Sequence, residues 1–334
     1  MSSLIAVTIG DINGIGIDIY LKLLKENKIQ NTILFTNINL IKKYIKKNKY
    51  KIKINVVNKD KNVLLTKREC LNIYTYKCST DIYNTIKSID LSYKECLKKR
   101  FKGMVTLPIR KDLINKIYPN FIGHTEHLQK FENIKYSNMI FYHKKIIISP
   151  LTTHIQLNSV SKFIQKKDFL FNQIKNLNSS LIRDFNIKNP KIIISGINPH
   201  AGENGKIGNE EINIIKPIIN KLIKLDINIK GPFSADTMLI DKNLNMFDCF
   251  IFIYHDQALI PFKYISKFQG VNFTGNLSVI RTSPDHGTAY DLKGKKNISS
   301  ESVLNSFQLI NKIYKNRNRN DKSKKIIKSK FFDR

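Results

Sequence analysis

Acidic residues are scarce in this 334-residue sequence, which has 26 Asp and Glu residues against 57 Lys and Arg residues, and tryptophan is absent. Its four cysteines are scattered and form no CxxC pair. That pattern argues against a disulfide framework or a cysteine-based metal site and favours reduced thiols in the cytoplasm. No apolar run reaches the roughly 18 residues of a membrane span, and the first residues do not resemble a signal peptide. We therefore expect a cytoplasmic protein without membrane association.

The formal net charge of +31 has two explanations. A basic surface is typical of proteins that bind nucleic acid. Alternatively, an AT-rich genome enriches Lys, Asn, Ile, Phe and Tyr throughout a chain. Lysines run from residue 22 to residue 330, and only residues 315–334 form a dense basic block. We favour compositional drift and expect no specific nucleic-acid partner, while a basic nucleic-acid-binding protein on a decayed enzyme scaffold stays an alternative.

Apolar strand-like runs alternate with amphipathic helical segments, which predicts an α/β fold. The length fits about two domains, each with its own core. Predicted strands cover residues 4–9, 32–36, 103–107, 145–150, 191–195 and 248–254, and helices begin near residue 18 and cover 81–99 and 110–117. The segment 48–77 fits neither pattern clearly.

Three of the seven histidines follow predicted strands: His154 after 145–150, His200 after 191–195 and His255 after 248–254. Ligands bind at the carboxyl ends of the strands in open α/β sheets. Three neutral imidazoles suit a divalent metal and leave coordination positions open for a substrate. The pattern predicts one metal site, although three unrelated loop histidines would give the same sequence.

Two glycine-rich segments favour ligand-binding loops but match no nucleotide-binding motif. Residues 196–208 contain four glycines and an Asn-Pro pair, which predicts a tight loop that could hold a phosphate or a cofactor. The spacing of this loop excludes a Walker A motif. After Gly14 and Gly16, Ile19 stands where the dinucleotide fingerprint needs a third glycine, so a classical Rossmann domain is also excluded.

Other segments carry side chains that bind anions. Arginine and lysine are the usual partners of phosphate and carboxylate groups. In so basic a chain, a single Lys or Arg is weak evidence of a binding site, so each candidate is judged by the residues around it in the sequence. The candidates in such segments are His124, Thr125, Lys263, Asn272 and Arg281.

Taken in order, these segments resemble the 4-hydroxythreonine-4-phosphate dehydrogenase family. The resemblance is carried by Gly-His-Thr-Glu at 123–126, Thr-Thr-His at 152–154, the loop at 196–208, Gly-Pro-Phe-Ser-Ala-Asp-Thr at 231–237, Tyr-His-Asp-Gln at 254–257, Gly-Val-Asn at 270–272, Ile-Arg-Thr-Ser at 280–283 and Asp-His-Gly-Thr-Ala at 285–289. It extends over roughly residues 4–315.

The resemblance implies a two-domain α/β fold like that of isocitrate and isopropylmalate dehydrogenases, with the active-site cleft between the domains. The first domain would contain residues 1–125 and 280–315, and the second, residues 126–279, would carry the dimerisation surface and the metal site. Residues 316–334 would form a basic tail. The family is homodimeric, with the active site at the subunit interface.

The implied reaction is the NAD-dependent oxidation and decarboxylation of 4-phosphohydroxy-L-threonine to 3-amino-2-oxopropyl phosphate in pyridoxine 5'-phosphate biosynthesis. NADP is an alternative cofactor, and zinc, magnesium or cobalt could be the metal. The sister activity on 4-phosphothreonate or 4-phosphoerythronate shares the metal and NAD and stays open as an alternative.

Site residues follow from the same resemblance. The family's metal ligands correspond to His154, His200 and His255, and its substrate contacts to His124, Thr125, Lys263, Asn272 and Arg281. The segment 285–289 also resembles the adenosine-binding loop of isopropylmalate dehydrogenases, so NAD is expected to approach His286, Gly287, Thr288, Ala289 and Asp291. Lys111 and Asp236 are candidate proton-transfer groups.

Some positions depart from the family. Prolines around the first glycine loop are replaced by isoleucines, and Leu107 adds a side chain near the expected ligand where the family has glycine. A Gly-Leu-Pro segment before Arg281 reads Asn-Leu-Ser at 276–278. These changes bear on loop rigidity and catalytic efficiency more than on the type of reaction.

Overall fold

The computed structural model describes residues 3–58, 64–295 and 298–332, with side chains described as far as residue 320. The chain divides into two compact units, Met1–Leu128 with Ser278–Tyr314 and Gln129–Leu277 with Lys315–Arg334. The described strands are β1 (Ile5–Thr8), β2 (Thr32–Phe35), β3 (Lys53–Val56), β4 (Cys70–Tyr74), β5 (Met104–Thr106), β6 (Asn138–His143), β7 (Ile146–Thr152), β8 (Ile192–Ser195), β9 (Ile229–Phe233), β10 (Cys249–Tyr254), β11 (Val271–Gly275) and β12 (Arg281–Pro284).

Helices alternate with these strands, as the α/β prediction requires. They are α1 (Gly16–Lys25), α2 (Ile38–Lys47), α3 (Asp81–Leu97), α4 (Lys111–Asn115), α5 (His124–Phe131), α6 (Val160–Ile164), α7 (Lys167–Arg183), α8 (Lys216–Ile223), α9 (Asp241–Met246), α10 (His255–Ser266) and α11 (Glu301–Phe332). Within the described residues, none of these helices is long and apolar enough to cross a membrane.

The first unit contains a parallel run of six strands in the order β3-β4-β2-β1-β5-β12. Every residue of β1 and β2 is buried. Parallel strands covered on both faces read as continuous apolar runs, which explains why the sequence predicted these strands to within about a residue at each end. The undecided segment 48–77 contains β3 and β4, and its residues 59–63 lie outside the described part of the chain.

The second unit contains six strands in the order β11-β6-β7-β10-β8-β9. The pairs β11–β6 and β6–β7 are antiparallel, whereas β7, β10, β8 and β9 run parallel. Its core includes Phe141, Ile148, Phe250, Phe252 and Phe262. Because β7, β10 and β8 are adjacent and parallel, the residues that follow these three strands emerge at one edge of the sheet.

A buried carboxylate anchors the C-terminal helix in the second unit. Asp184, at the end of α7, is fully buried and accepts hydrogen bonds from Arg183 Nε at 2.9 Å and from Arg317 Nε at 2.7 Å. Asn316 Nδ2 donates to the Asp184 carbonyl at 2.8 Å. The boundary expected at residue 316 therefore lies inside α11, and the start of the basic block is a packed part of the unit.

Candidate active site

Two of the predicted metal ligands lie side by side in the second unit. His154 is two residues beyond β7, His255 is the first residue of α10, and their ring centroids are 5.9 Å apart. His255 Nδ1 lies 2.9 Å from Asp256 Oδ1. A carboxylate at one ring nitrogen fixes the orientation of an imidazole and directs the other nitrogen towards a metal. This donor set fits a divalent cation.

The third predicted ligand, His200, is exposed in the loop that follows β8. Residues 200–204 all have positive φ angles, between 42° and 81°. Gly202 and Asn204 suit this region, whereas His200, Ala201 and Glu203 each cost about 1–2 kcal/mol there. A loop with this backbone needs strong tertiary contacts to hold its shape.

His200 lies close enough to Asp236 to affect its titration. A hydrogen bond from the Ser234 hydroxyl at 2.6 Å lowers the pKa of the exposed Asp236 carboxyl, and the positive form of His200 lowers it further. Asp236 is therefore ionised at neutral pH. Within the described residues of one chain, no group of three or more His, Cys, Asp or Glu side chains is placed to hold a metal ion.

In the first unit, the N-terminus of α5 presents His124 and Thr125. Among the described residues, the buried Nε2 atom of His124 has no hydrogen-bond partner. Burial and the nearby positive charges of Arg281, His127 and Lys111 hold the pKa of His124 well below its usual range. His124 is thus a neutral imidazole with one ring nitrogen available to a ligand at a helix N-terminus, where backbone N–H groups favour anions.

Arg281 is the first residue of β12 and only 3% exposed. Its Nε and Nη2 atoms donate to Thr106 Oγ1 at 2.9 and 2.7 Å. Burial lowers the pKa of Arg281 to about 10, an effect that the negative charge of Glu126 opposes. The guanidinium therefore stays cationic at neutral pH and is a fixed positive charge of the kind that binds anionic groups.

Side chains that the sequence did not single out support α5. His127 Nε2 lies 2.7 Å from Asp90 Oδ1 on α3, and the His127 ring packs against Phe121 with centroids 5.3 Å apart.

Lys111 begins α4, and its Nζ lies 3.3 Å from the position that a Cβ would take at Gly123. Lys111 is thus near the start of α5, as a proton-transfer group acting beside His124 would need to be.

The remaining predicted substrate contacts lie in the second unit. Lys263 is two turns after His255 on α10, and its Nζ lies 5.5 Å from the centroid of the Phe268 ring. Asn272 lies on β11, and its buried Oδ1 atom has no hydrogen-bond partner within the described residues. Buried polar atoms of this kind cost free energy unless a ligand satisfies them, so Asn272 fits a binding role.

The predicted cofactor loop packs against the first glycine loop. Ile15 N donates to Thr288 O at 3.0 Å, and a Cβ at Gly14 would lie 3.0 Å from the same oxygen. The Tyr290 hydroxyl donates to the Asp11 carboxylate. These contacts join two segments that the sequence presented separately: the first glycine loop and residues 286–291, which include His286, Gly287, Ala289 and Asp291.

A cavity of about 320 Å³ is lined by Asp11 and Asn13 of the first glycine loop and by Thr80, Thr85 and Arg110, among others. Leu107 stands where the family has glycine. Its side chain is fully buried, and its Cβ lies 2.8 Å from the position that a Cβ would take at Gly10 of the first glycine loop. Leu107 thus packs under the loop rather than extending into the space for a ligand.

Comparison with known proteins identifies the family of this chain. The sequence model of the family described as pyridoxal phosphate biosynthetic protein PdxA matches residues 27–310. The chain is 34% identical to the 4-hydroxythreonine-4-phosphate dehydrogenase of Wigglesworthia glossinidia brevipalpis, over 92% of this chain and 95% of that protein. It is 33% identical to the enzyme of the same name from Aquifex aeolicus, over 93% and 98% of the two chains.

Among solved structures, the fold is similar to the 4-hydroxythreonine-4-phosphate dehydrogenase of Klebsiella pneumoniae. The TM-score is 0.81 at 27% identity, and the alignment covers 94% of this chain and 98% of that one. The predicted α/β fold is confirmed. With a family match over most of its length, the chain belongs to the PdxA family of pyridoxal phosphate biosynthetic proteins.

Proposed function

We propose that this protein is a 4-hydroxythreonine-4-phosphate dehydrogenase. It oxidises and decarboxylates 4-phosphohydroxy-L-threonine to 3-amino-2-oxopropyl phosphate in pyridoxine 5'-phosphate biosynthesis, with NAD or NADP as the hydride acceptor. The observation that carries the proposal is the emergence of His154, His200 and His255 from three adjacent parallel strands in a member of this family. We expect it to act in the cytoplasm, without a specific nucleic-acid partner.

The residues proposed to bind the phosphorylated substrate have a fixed charge or an unused hydrogen-bonding atom. His124 and Thr125 offer the ring nitrogen and the helix N-terminus described above, and Arg281 offers a buried cation. Lys263 and Asn272 are the proposed contacts from the second unit. Fixed donors of this kind orient the reacting carbon relative to the nicotinamide, which lowers the entropic part of the barrier.

His154, His200 and His255 would hold one divalent metal, zinc, magnesium or cobalt, which lowers the pKa of the substrate hydroxyl and stabilises the negative charge that develops as CO2 leaves. Asp256 orients the His255 ring through its 2.9 Å contact. Asp236, ionised at neutral pH, is a candidate proton acceptor.

The overall reaction transfers a hydride to the nicotinamide and a proton to a base, and a second proton replaces the lost carboxyl group. Lys111, near His124, is a candidate donor for that second proton. His286, Gly287, Thr288, Ala289 and Asp291 are proposed to approach the adenosine part of the cofactor. Their packing against the first glycine loop supports this role.

We further propose that the enzyme is a homodimer and that His200 and His255 of one metal site come from different subunits. Two features of the single chain support this arrangement. His255 lies beside His154, whereas the charge of His200 acts on Asp236, and the described residues of one chain contain no three-ligand group.

The activity test is the reduction of NAD by the purified full-length protein with 4-phosphohydroxythreonine, with CO2 release measured in parallel. We expect turnover that a chelator abolishes and that a divalent metal restores. Preferred turnover of 4-phosphothreonate would instead assign the sister activity. No turnover of either substrate, together with salt-sensitive binding of DNA or RNA, would favour the nucleic-acid alternative.

A further inference from the structure

We propose that Glu211 is a positioning residue that holds the loop of residues 196–208 in the conformation that presents His200. The proposal rests on the proposed function in taking His200 as a metal ligand. Glu211 is 1% exposed, and no part of the metal or substrate site so far described includes it.

The Glu211 carboxylate binds the backbone at the start of the loop. Its Oε1 atom accepts hydrogen bonds from Ile197 N at 2.8 Å and from Asn198 N at 2.9 Å. Its Oε2 atom accepts one from Asn198 Nδ2 at 3.0 Å. Three donors on one buried carboxylate fix the path of the chain two residues before His200, since charge-assisted hydrogen bonds are about twice as strong as neutral ones.

Two glycines of the loop leave room for this carboxylate. A Cβ at Gly196 would lie 2.8 Å from Glu211 Oε1, and a Cβ at Gly202 would lie 2.7 Å from Glu211 Oε2. Both distances are shorter than real Cβ contacts, so any other residue would displace the carboxylate or the loop. Glu211 therefore contacts the loop on both sides of His200 along the chain.

The segment that carries Glu211 is also irregular. Glu211–Ile215 forms a π-helical turn directly before α8, and such turns are frequent at functional sites. The preceding residue, Glu210, accepts hydrogen bonds from Asn198 Nδ2 at 2.8 Å and from Ser161 Oγ at 2.7 Å. Glu210 thus binds the side chain of Asn198, whereas Glu211 also binds the loop backbone at Ile197 and Asn198.

The contacts of Glu211 matter because residues 200–204 have a left-handed backbone. A run of positive φ angles at non-glycine residues relaxes unless neighbouring groups hold it. We infer that loss of the Glu211 carboxylate lets the loop relax and moves the His200 imidazole away from its position for metal binding.

The test compares Co²⁺ affinity, measured by calorimetric titration of the full-length protein, between wild type and Glu211→Gln. Partners that orient metal ligands typically contribute about 10–100-fold in metal affinity, and we expect a loss in that range. Glu210→Gln is the matched control, and we expect its affinity to stay close to that of wild type. His200→Ala should lose the site.

Amide hydrogen exchange at Ile197 and Asn198, measured without metal, tests the loop directly. Exchange at both positions should be faster in Glu211→Gln than in wild type, and Asn198→Ala, which removes one of the three donors, should lie between them. If Glu211→Gln does not fold, as judged by its circular dichroism, Asn198→Ala carries the test by both measurements.

Unchanged exchange in a folded Glu211→Gln protein would overturn the proposal. So would wild-type Co²⁺ affinity in Glu211→Gln alongside weakened binding in His200→Ala. Wild-type affinity in His200→Ala would overturn the metal assignment instead, and amide exchange would then still decide whether Glu211 holds the loop.

Discussion

At the scale of single residues, burial separates the roles of His124 and Arg281. Burial lowers the pKa of both groups, but the charge at neutral pH differs between them. His124 loses its charge at neutral pH, while Arg281, with a pKa of about 10, keeps its charge. The pair therefore combines one neutral hydrogen-bonding group with one fixed cation, as the proposed binding of a phosphorylated substrate requires.

The lowered pKa of His124 predicts a specific dependence of stability on pH. Below its ordinary pKa of 6.5, the unfolded chain binds a proton that the folded protein does not. The free energy of unfolding should be unaffected by this group above 6.5 and should fall as the pH is lowered below it. Urea unfolding across this range measures the slope.

His124→Gln should reduce that slope. It should not remove it, because burial and Lys144 also lower the pKa of His143. His143→Gln is the control for that second contribution. Equal slopes in wild type and His124→Gln would show that His124 is not held neutral in the folded protein.

The sequence singled out His124 and Arg281 as candidate substrate contacts but gave no sign of the residues that contact them or their helix. Arg281 donates to Thr106, which is 175 residues away along the chain. Asp90, which contacts His127 on α5, lies on α3 with no motif around it. Their roles depend on contacts that form only in the folded chain, so composition and spacing could not reveal them.

At the scale of elements, the isoleucine-rich strands were predictable because parallel strands covered on both faces leave continuous apolar runs in the sequence. The three histidines after β7, β8 and β10 follow from the same pattern. The order β7-β10-β8, which makes their ends neighbours, was not predictable, because strand order depends on long-range pairing.

The sequence gives no sign of the contacts made at the start of the basic C-terminal block. Residues from 315 onward lack an apolar stripe and resemble a solvated tail. Yet Arg317 and Asn316 make their contacts with a buried carboxylate and a buried carbonyl, and polar packing of this kind leaves no hydrophobic pattern.

This packing predicts that Asp184 is important for stability. Asp184→Asn removes the charge that faces Arg183 and Arg317, and the loss of one partner of a buried ion pair costs about 3 kcal/mol or more. Denaturant unfolding should show a lower midpoint. Asp226→Asn is a matched control, since Asp226 is exposed and its φ of 59° suits asparagine. Equal midpoints for the two variants would contradict the anchoring of α11.

At the scale of the whole molecule, the charge of +31 needs no separate function. The family match extends over residues 27–310, and the lysines are distributed over the same length. A positive surface also attracts anionic substrates and raises their rate of encounter. The proposed metal site takes ligands from two chains and is complete only in the dimer.

Mixing two inactive variants tests whether a metal site is shared between subunits. His200→Ala and His255→Ala proteins are unfolded together, refolded together at equal concentration, and assayed for NAD reduction with 4-phosphohydroxythreonine and metal. If the two histidines of a site come from different subunits, random pairing should restore about one quarter of wild-type activity, because half of the dimers are mixed and each mixed dimer has one complete site. Activity no higher than that of either variant alone would contradict a metal site shared between subunits.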